Sequence, residues 1–238
     1  MRKEATQEWR ITMKKVDLHV HSTYSDGTNT PKELIKLAEN EGLSAIALTD
    51  HDTLDGIPDA LDAAKNSSVE LIPGVELSTN FNNTEVHIVG LFLDHNNKQI
   101  NDYLIYQRQS RIDRNIQMCQ KFCDIGINIS YDKMCELYPD AVITRAHFAD
   151  YLVKNKYTGD RNEAFDRYLS PGKPCFVNRH KVDPEEAIAV IHKAHGAAIL
   201  AHPVLYHLGK DQMNALLEHV CNAGIDGIEA IYSTYKPA

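Results

Sequence analysis

The sequence predicts an α/β fold: a barrel or barrel-like sheet with its chemistry at the carboxyl ends of the strands. Three observations lead there. From residue 16 onward, short apolar runs alternate with stretches of helical period. Several of those runs end in His, Asp or Glu, where α/β barrels carry their sites. Thr-Pro, Asp-Pro and Gly punctuate the helical stretches at their starts and stops.

The elements follow in order. VDLHVH alternates Val16, Leu18 and Val20 with Asp17, His19 and His21, the period of a strand with two unlike faces, so both histidines point the same way. After the Ser-Asp-Gly turn, Thr30 caps a helix with Pro31 at its first position, closing at Gly42. SAIALTD is a short apolar run with polar residues at its end, as in a parallel strand buried on both faces. A helix over IPDALDAAKN, a strand VELIPGVEL, the Asn-rich turn FNNT and a strand EVHIVGLFL complete the first part.

Residues 98–180 break this rhythm. They read as an inserted helical subdomain ending in SPGKP, which divides the barrel into 16–97 and 181–238 behind an N-terminal extension, 1–15. Beyond it come a helix PEEAIAVIHKAHG with Pro184 in its first turn, a buried strand AAILAHP, a helix DQMNALLEHVCNAG closed by Gly224, and a strand DGIEAIYS.

Composition bounds the function. The 238 residues are 43% hydrophobic and 24% charged, enough for a sizeable core. The start MRKEATQEWRITMKK lacks a signal's apolar stretch, and no run of 18 apolar residues occurs; the expectation is a cytoplasmic chain with no membrane partner. Cys119, Cys123, Cys135, Cys175 and Cys221 are odd in number and unpaired in spacing, which suits reduced thiols. A net charge of −8 disfavours long nucleic acids and leaves small phosphorylated substrates open.

The chemistry gathers at strand ends. His19 and His21 with Asp26 just beyond, Asp50 and His51 in TDHDT, Glu76 in GVE and His202 in AHP share this placement, and His87 joins from a strand interior. Imidazoles with carboxylates and no thiolate suit Mn²⁺, Fe²⁺ or Zn²⁺. Burying so many charged groups unpaired would cost several kcal/mol each. A cation resolves the conflict. His95, His192, His195 and His219 read as solvated helix or loop residues.

DLHVHSTYSDG, LTDHDT, IPGVELS, EVHIVG and ILAHP, in this order, resemble the PHP (polymerase and histidinol phosphatase) family, specifically its stand-alone nucleotide phosphoesterases; ITRAHFADYLV and KVDPEEAI resemble that branch too. The resemblance implies a distorted (β/α)₇ barrel with two or three divalent ions, Mn²⁺ first, and hydrolysis by a metal-bound hydroxide. It implies that His19, His21, Glu76 and His202 carry catalysis, with Glu76 bridging two metals and His87 on the second. Asp26, His51 and His202 match ligands of a third. Arg145 looks like the family's phosphate clamp, a job its planar fork fits. His147 and His207 are further candidates for the phosphate pocket or for protonating the leaving group, and the sequence does not choose between them.

The implied substrate is a 3′,5′-bisphosphate nucleotide or the 5′ end of a short RNA. Family members usually continue into a strand bearing Asp-x-His, whereas this sequence stops at Ala238, so the expectation is a barrel incomplete at its C-terminus. Two readings compete: histidinol phosphate phosphatase, and a noncatalytic metal-binding module. An amidohydrolase shares the HxH strand, but no candidate carboxylated lysine stands at a strand end.

Overall fold

The computed structural model describes residues 14–178 and 182–233. Most of the N-terminal extension and the junction at 180–181 lie outside the described residues. Six strands form one curled sheet in sequence order: β1 (Lys15–Val20), β2 (Leu43–Leu48), β3 (Glu70–Phe81), β4 (Thr84–Leu91), β5 (Ala197–Leu200) and β6 (Gly227–Ile228). Neighbours β1, β2 and β3 run parallel, β4 is antiparallel to both β3 and β5, and β5 and β6 are parallel.

The antiparallel pair departs from a strict strand-helix alternation, and its cause is local. Asn82 and Asn83 both take positive φ, 47° and 68°, so a two-residue turn reverses the chain with no room for a helix. Asn tolerates that conformation, and a two-residue turn of this hand matches the twist of a hairpin. The strand DGIEAIYS shortens to the two residues of β6. The sheet is bounded by β1 and β6, and the outward Val16, Leu18 and Ile228 are exposed there.

Helices α1 (Pro31–Asn40) and α2 (Ile57–Ala64) cover one end of the sheet. Thr30 caps α1: its hydroxyl accepts from the Glu33 N–H while Glu33 Oε2 accepts from the Thr30 N–H, which satisfies two otherwise orphaned donors. The amphipathic α3 (Lys98–Asp124) starts at Asn97 and crosses from the sheet to a helical region made of α4 (Tyr131–Leu137), α5 (Arg145–Lys154), α6 (Arg161–Ala164) and a π-helical turn, Phe165–Leu169. α7 (Pro184–Lys193) and α8 (Lys210–Asn222) return to the sheet.

Besides a smaller cluster of Ala45, Ala47, Ile72, Val89, Leu91 and Ala201, two larger apolar cores result. One joins Ile46, Leu48, Val75, Leu77 and Ile88 to Ile35, Ile100, Leu104 and Ile191. The other holds Met118, Phe122, Met134, Phe148, Leu152 and Leu169 within the helical region. Each fully buried side chain of this size contributes about 1.5–3 kcal/mol, so the helical region has a core of its own. Among the described residues, no helix is long and apolar enough to cross a membrane.

Candidate metal centre

Glu76 is the hub. Its carboxylate, 1% exposed, stands within β3 and meets five imidazoles brought by four other segments. On Oε2 converge His19 Nε2 at 3.3 Å, His21 Nε2 at 3.1 Å and His51 Nδ1 at 3.2 Å. On Oε1 converge His87 Nδ1 and His202 Nε2, each at 2.7 Å. Asp26 stands on the far side, 3.7 Å from His21 Nδ1 and 3.6 Å from His51 Nε2.

Local backbone explains each placement. The period of β1 turns His19 and His21 to one side. Past it the chain folds tightly: the Gly27 N–H donates to the Ser22 carbonyl, and a Cβ on Gly27 would lie 2.1 Å from the His21 carbonyl oxygen. Only glycine fits there, and the turn carries Asp26 back toward His21. At the end of β2, residues 50–52 pair alongside β3: the Glu76 N–H donates to the Asp50 carbonyl and the Asp52 N–H to the Glu76 carbonyl, setting His51 beside Glu76. His202 follows β5 with φ 24° and ψ 55°, a conformation costing about 1–3 kcal/mol that the surroundings must hold in place.

Glu229, just past β6, supplies that hold. Its Oε2 accepts from the His202 N–H at 2.7 Å, and its Oε1 lies 3.1 Å from His19 Nδ1. Glu85 does the same for another imidazole: Oε1 is 3.2 Å from His87 Nε2, and Oε2 accepts from Arg145 Nη2 at 2.6 Å. Carboxylates behind metal-ligating histidines fix their tautomer and orientation. Neither residue stands out in the sequence; a glutamate two residues before His87 on its strand was the one available signal.

The other sequence candidates separate into those that join the cluster and those that do not. Asp50 turns away from the imidazoles and accepts from the Ser22 N–H at 2.7 Å and from the hydroxyls of Ser22 and Ser25 at 2.6 Å each, so it anchors the loop bearing Asp26. Arg145 reaches the cluster through Glu85 and lies 5.8 Å from the centre of the Phe176 ring. His147 is buried as a cap of α5, where its Nδ1 accepts from the Thr144 N–H at 2.9 Å; the Thr144 hydroxyl in turn donates to Asp26 Oδ2 at 3.1 Å. His207 is exposed at the end of the 3₁₀ turn Pro203–Tyr206, and its neighbour Tyr206 is the one that touches the cluster, receiving the His87 N–H at 3.0 Å. His192 and His219 pair with Asp226 and Asp183 at the surface.

Burial and the neighbouring carboxylates act in opposite directions on these groups. Burial by itself would lower His19, but Glu229 and Glu76 outweigh it and raise its pKa to about 10; His87 is raised to about 9 against burial by Glu76 and Glu85. Burial dominates at His51 and lowers it to about 4. For Asp26, burial pushes up and His51 and His21 push down harder, leaving it at about 2. Burial likewise opposes ionisation of Glu76, yet the surrounding imidazoles hold it well below the usual carboxylate range.

Divalent ions fit this donor set. His19 Nε2, His51 Nδ1 and His202 Nδ1 are buried without a hydrogen-bond partner, the first two close to Glu76 Oε2 but off the hydrogen-bond direction. Three overlapping groups, His19–His21–Glu76, His21–Asp26–His51 and His51–Glu76–His87, each bring their ligand atoms within 4.8 Å of one another. Shared members join the three groups into one connected cluster.

Comparison with known proteins agrees with the geometry. The chain is 41% identical over 216 residues to a 5′-3′ exoribonuclease of Haemophilus influenzae, covering 91% of this chain and 78% of that protein. It is 36% identical over 227 residues to a 3′,5′-nucleoside bisphosphate phosphatase of Chromobacterium violaceum, covering 94% and 79%. Among solved structures, one described as an amidohydrolase from Chromobacterium violaceum with bound sulfate and no metal superposes with TM-score 0.84 at 35% identity, over 90% of this chain and 76% of that one. A putative metal-dependent phosphoesterase from Bifidobacterium adolescentis gives 0.83 at 27%, over 94% and 79%. With the PHP domain model matched over residues 17–198, the chain belongs to the PHP domain family.

Proposed function

We propose that this chain is a metal-dependent phosphoesterase that releases phosphate from nucleotides, acting on a 3′,5′-bisphosphate nucleotide or on the 5′ end of a short RNA. The observation that carries this reading is a single buried carboxylate, Glu76, shared by five imidazoles with Asp26 beyond them. The names of the relatives at 41% and 36% identity support the substrate class.

His19, His21, Asp26, His51, Glu76, His87 and His202 would hold two or three divalent ions, for which Mn²⁺, Fe²⁺ and Zn²⁺ suit a mixed nitrogen and oxygen donor set. Bound ions supply Lewis acidity and lower the pKa of water from 15.7 toward about 7. The protein's own part is orientation. Glu229 and Glu85 keep the imidazoles of His19 and His87 aimed inward, and the Asp50 anchor holds Asp26 in place. Arg145, held by Glu85, would bind a non-bridging phosphate oxygen through its remaining N–H groups, the type of electrostatic contact that dominates phosphoryl transfer. His147, lowered by burial and already engaged as a cap, serves the position of Asp26 through Thr144.

The test combines elemental analysis with phosphate release from adenosine 3′,5′-bisphosphate and from a 5′-phosphorylated short RNA, each with the Mn²⁺-loaded chain. Two or more ions per chain with turnover of either substrate is the expected result, and Glu76→Gln should lose both. Full metal content with no release of phosphate or mononucleotide refutes the reading.

A further inference from the structure

The two imidazoles on Glu76 Oε1 come from chain segments that face each other. Continuing the β4–β5 register, in which Ile88 opposes Leu200, puts His87 opposite Ala201, and the Ala201 N–H donates to the His87 carbonyl at 3.1 Å. In an antiparallel pair of this kind the two residues exchange both bonds, so the His87 N–H would return one to the Ala201 carbonyl. It donates to the Tyr206 hydroxyl at 3.0 Å, and that hydroxyl donates to the Ala201 carbonyl at 2.6 Å. A phenol oxygen thus stands between two backbone groups where a direct bond would close the pair.

The interruption falls where the chain must break its alternation. Successive strand residues point to opposite faces, so His202 on a continued β5 would face away from His87, which shares a face with Ala201. Both imidazoles nevertheless reach the same oxygen, Glu76 Oε1, at 2.7 Å each. The left-handed backbone of His202, φ 24°, makes that turn. It is held through one peptide plane. The group joining Ala201 to His202 has its carbonyl on the Tyr206 hydroxyl and its N–H on Glu229 Oε2 at 2.7 Å. With both ends engaged, the plane cannot rotate back toward strand geometry without giving up a hydrogen bond. The Tyr206 ring lies edge-on to the His202 ring, centres 5.7 Å apart, and packs against the sheet's core. A phenylalanine would make those ring contacts too; the hydroxyl is the part that acts on the backbone.

We propose that Tyr206 is a positioning residue of the metal centre: its hydroxyl, set between His87 and Ala201, locks the peptide plane that turns His202 onto Glu76. The assignment rests on the metal-binding part of the reading above and not on the substrate. Tyr206 and Glu229 act as the two halves of one clamp, each on a different end of the same plane.

The experiment titrates the metal-free chain with Mn²⁺. Tyr206→Phe should weaken binding about tenfold, the scale of losing a group that orients a ligating histidine. Tyr151→Phe, which removes a hydroxyl bond to the Asn128 carbonyl at 2.8 Å in the helical region, should leave affinity unchanged. Tyr206→Phe combined with Glu229→Gln should lose less than the product of the two single losses, since both release the same plane. Unchanged affinity in Tyr206→Phe, an equal loss in Tyr151→Phe, or losses that multiply in full would overturn the proposal. If Tyr206→Phe does not fold, Tyr206→para-fluorophenylalanine, which fills the space of the hydroxyl without donating, takes its place with the same expected loss. Should the unaltered chain take up no Mn²⁺, the metal reading fails by itself, and crystal structures of the metal-free chain and of Tyr206→Phe decide: His202 turned off Glu76 in the variant supports the proposal, and His202 kept on Glu76 refutes it.

Discussion

His19 and Glu229 stand 210 positions apart in the chain, yet Nδ1 of one lies 3.1 Å from Oε1 of the other, and the second oxygen of the same carboxylate accepts the N–H of His202. One glutamate thus aims an imidazole of β1 and holds the backbone of another candidate ligand in its left-handed conformation.

Glu229→Gln should therefore weaken metal binding about 10- to 100-fold, the usual cost of losing a carboxylate behind a ligating histidine. Titration of the metal-free variant with Mn²⁺ measures this. Affinity equal to that of the unaltered chain would remove Glu229 from the site.

Metal uptake should release protons. At pH 7 the metal-free His19 and His87, raised to about 10 and 9, hold protons that a ligand nitrogen must lose. Apparent affinity should rise with pH, and calorimetry in two buffers of different ionisation enthalpy should give different heats. Identical heats would show that no proton leaves.

The stability of the metal-free chain should also follow pH, with a defined sign. For His19 and His87, whose folded values lie above the ordinary 6.5, the contribution is fully present below about 6.5 and is lost as pH rises through 9 and 10. For Asp26, at about 2 against 3.8, it is present above 3.8 and lost as pH falls toward 2. Melting temperature with a chelator present should peak between these limits. A flat profile from pH 4 to 10 contradicts the assignment.

Asp50→Asn should destabilise the fold by about 1–3 kcal/mol, since one amide cannot accept all three hydrogen bonds now made by Ser22 and Ser25. Thermal melting reads the loss. Because the anchored loop carries Asp26, metal content should fall too; a change in melting alone would confine Asp50 to stability.

Sequence by itself determined what depends on neighbours along the chain. Alternation in VDLHVH faces His19 and His21 the same way, Thr30-Pro31-x-Glu33 starts α1, and Asn82-Asn83 bends the chain, because each is a backbone preference satisfied within a few residues. The ordered motifs likewise marked Glu76, His51, His87 and His202 as one set. Tertiary structure decided what depends on distant partners. It paired β4 with β5, turned Asp50 to the loop instead of the imidazoles, tied Thr144 to Asp26, and recruited Glu85 and Glu229. A carboxylate looks the same in sequence whether it faces water or a histidine 210 residues away, since its energy is set by which charges and donors the fold brings within a few ångströms.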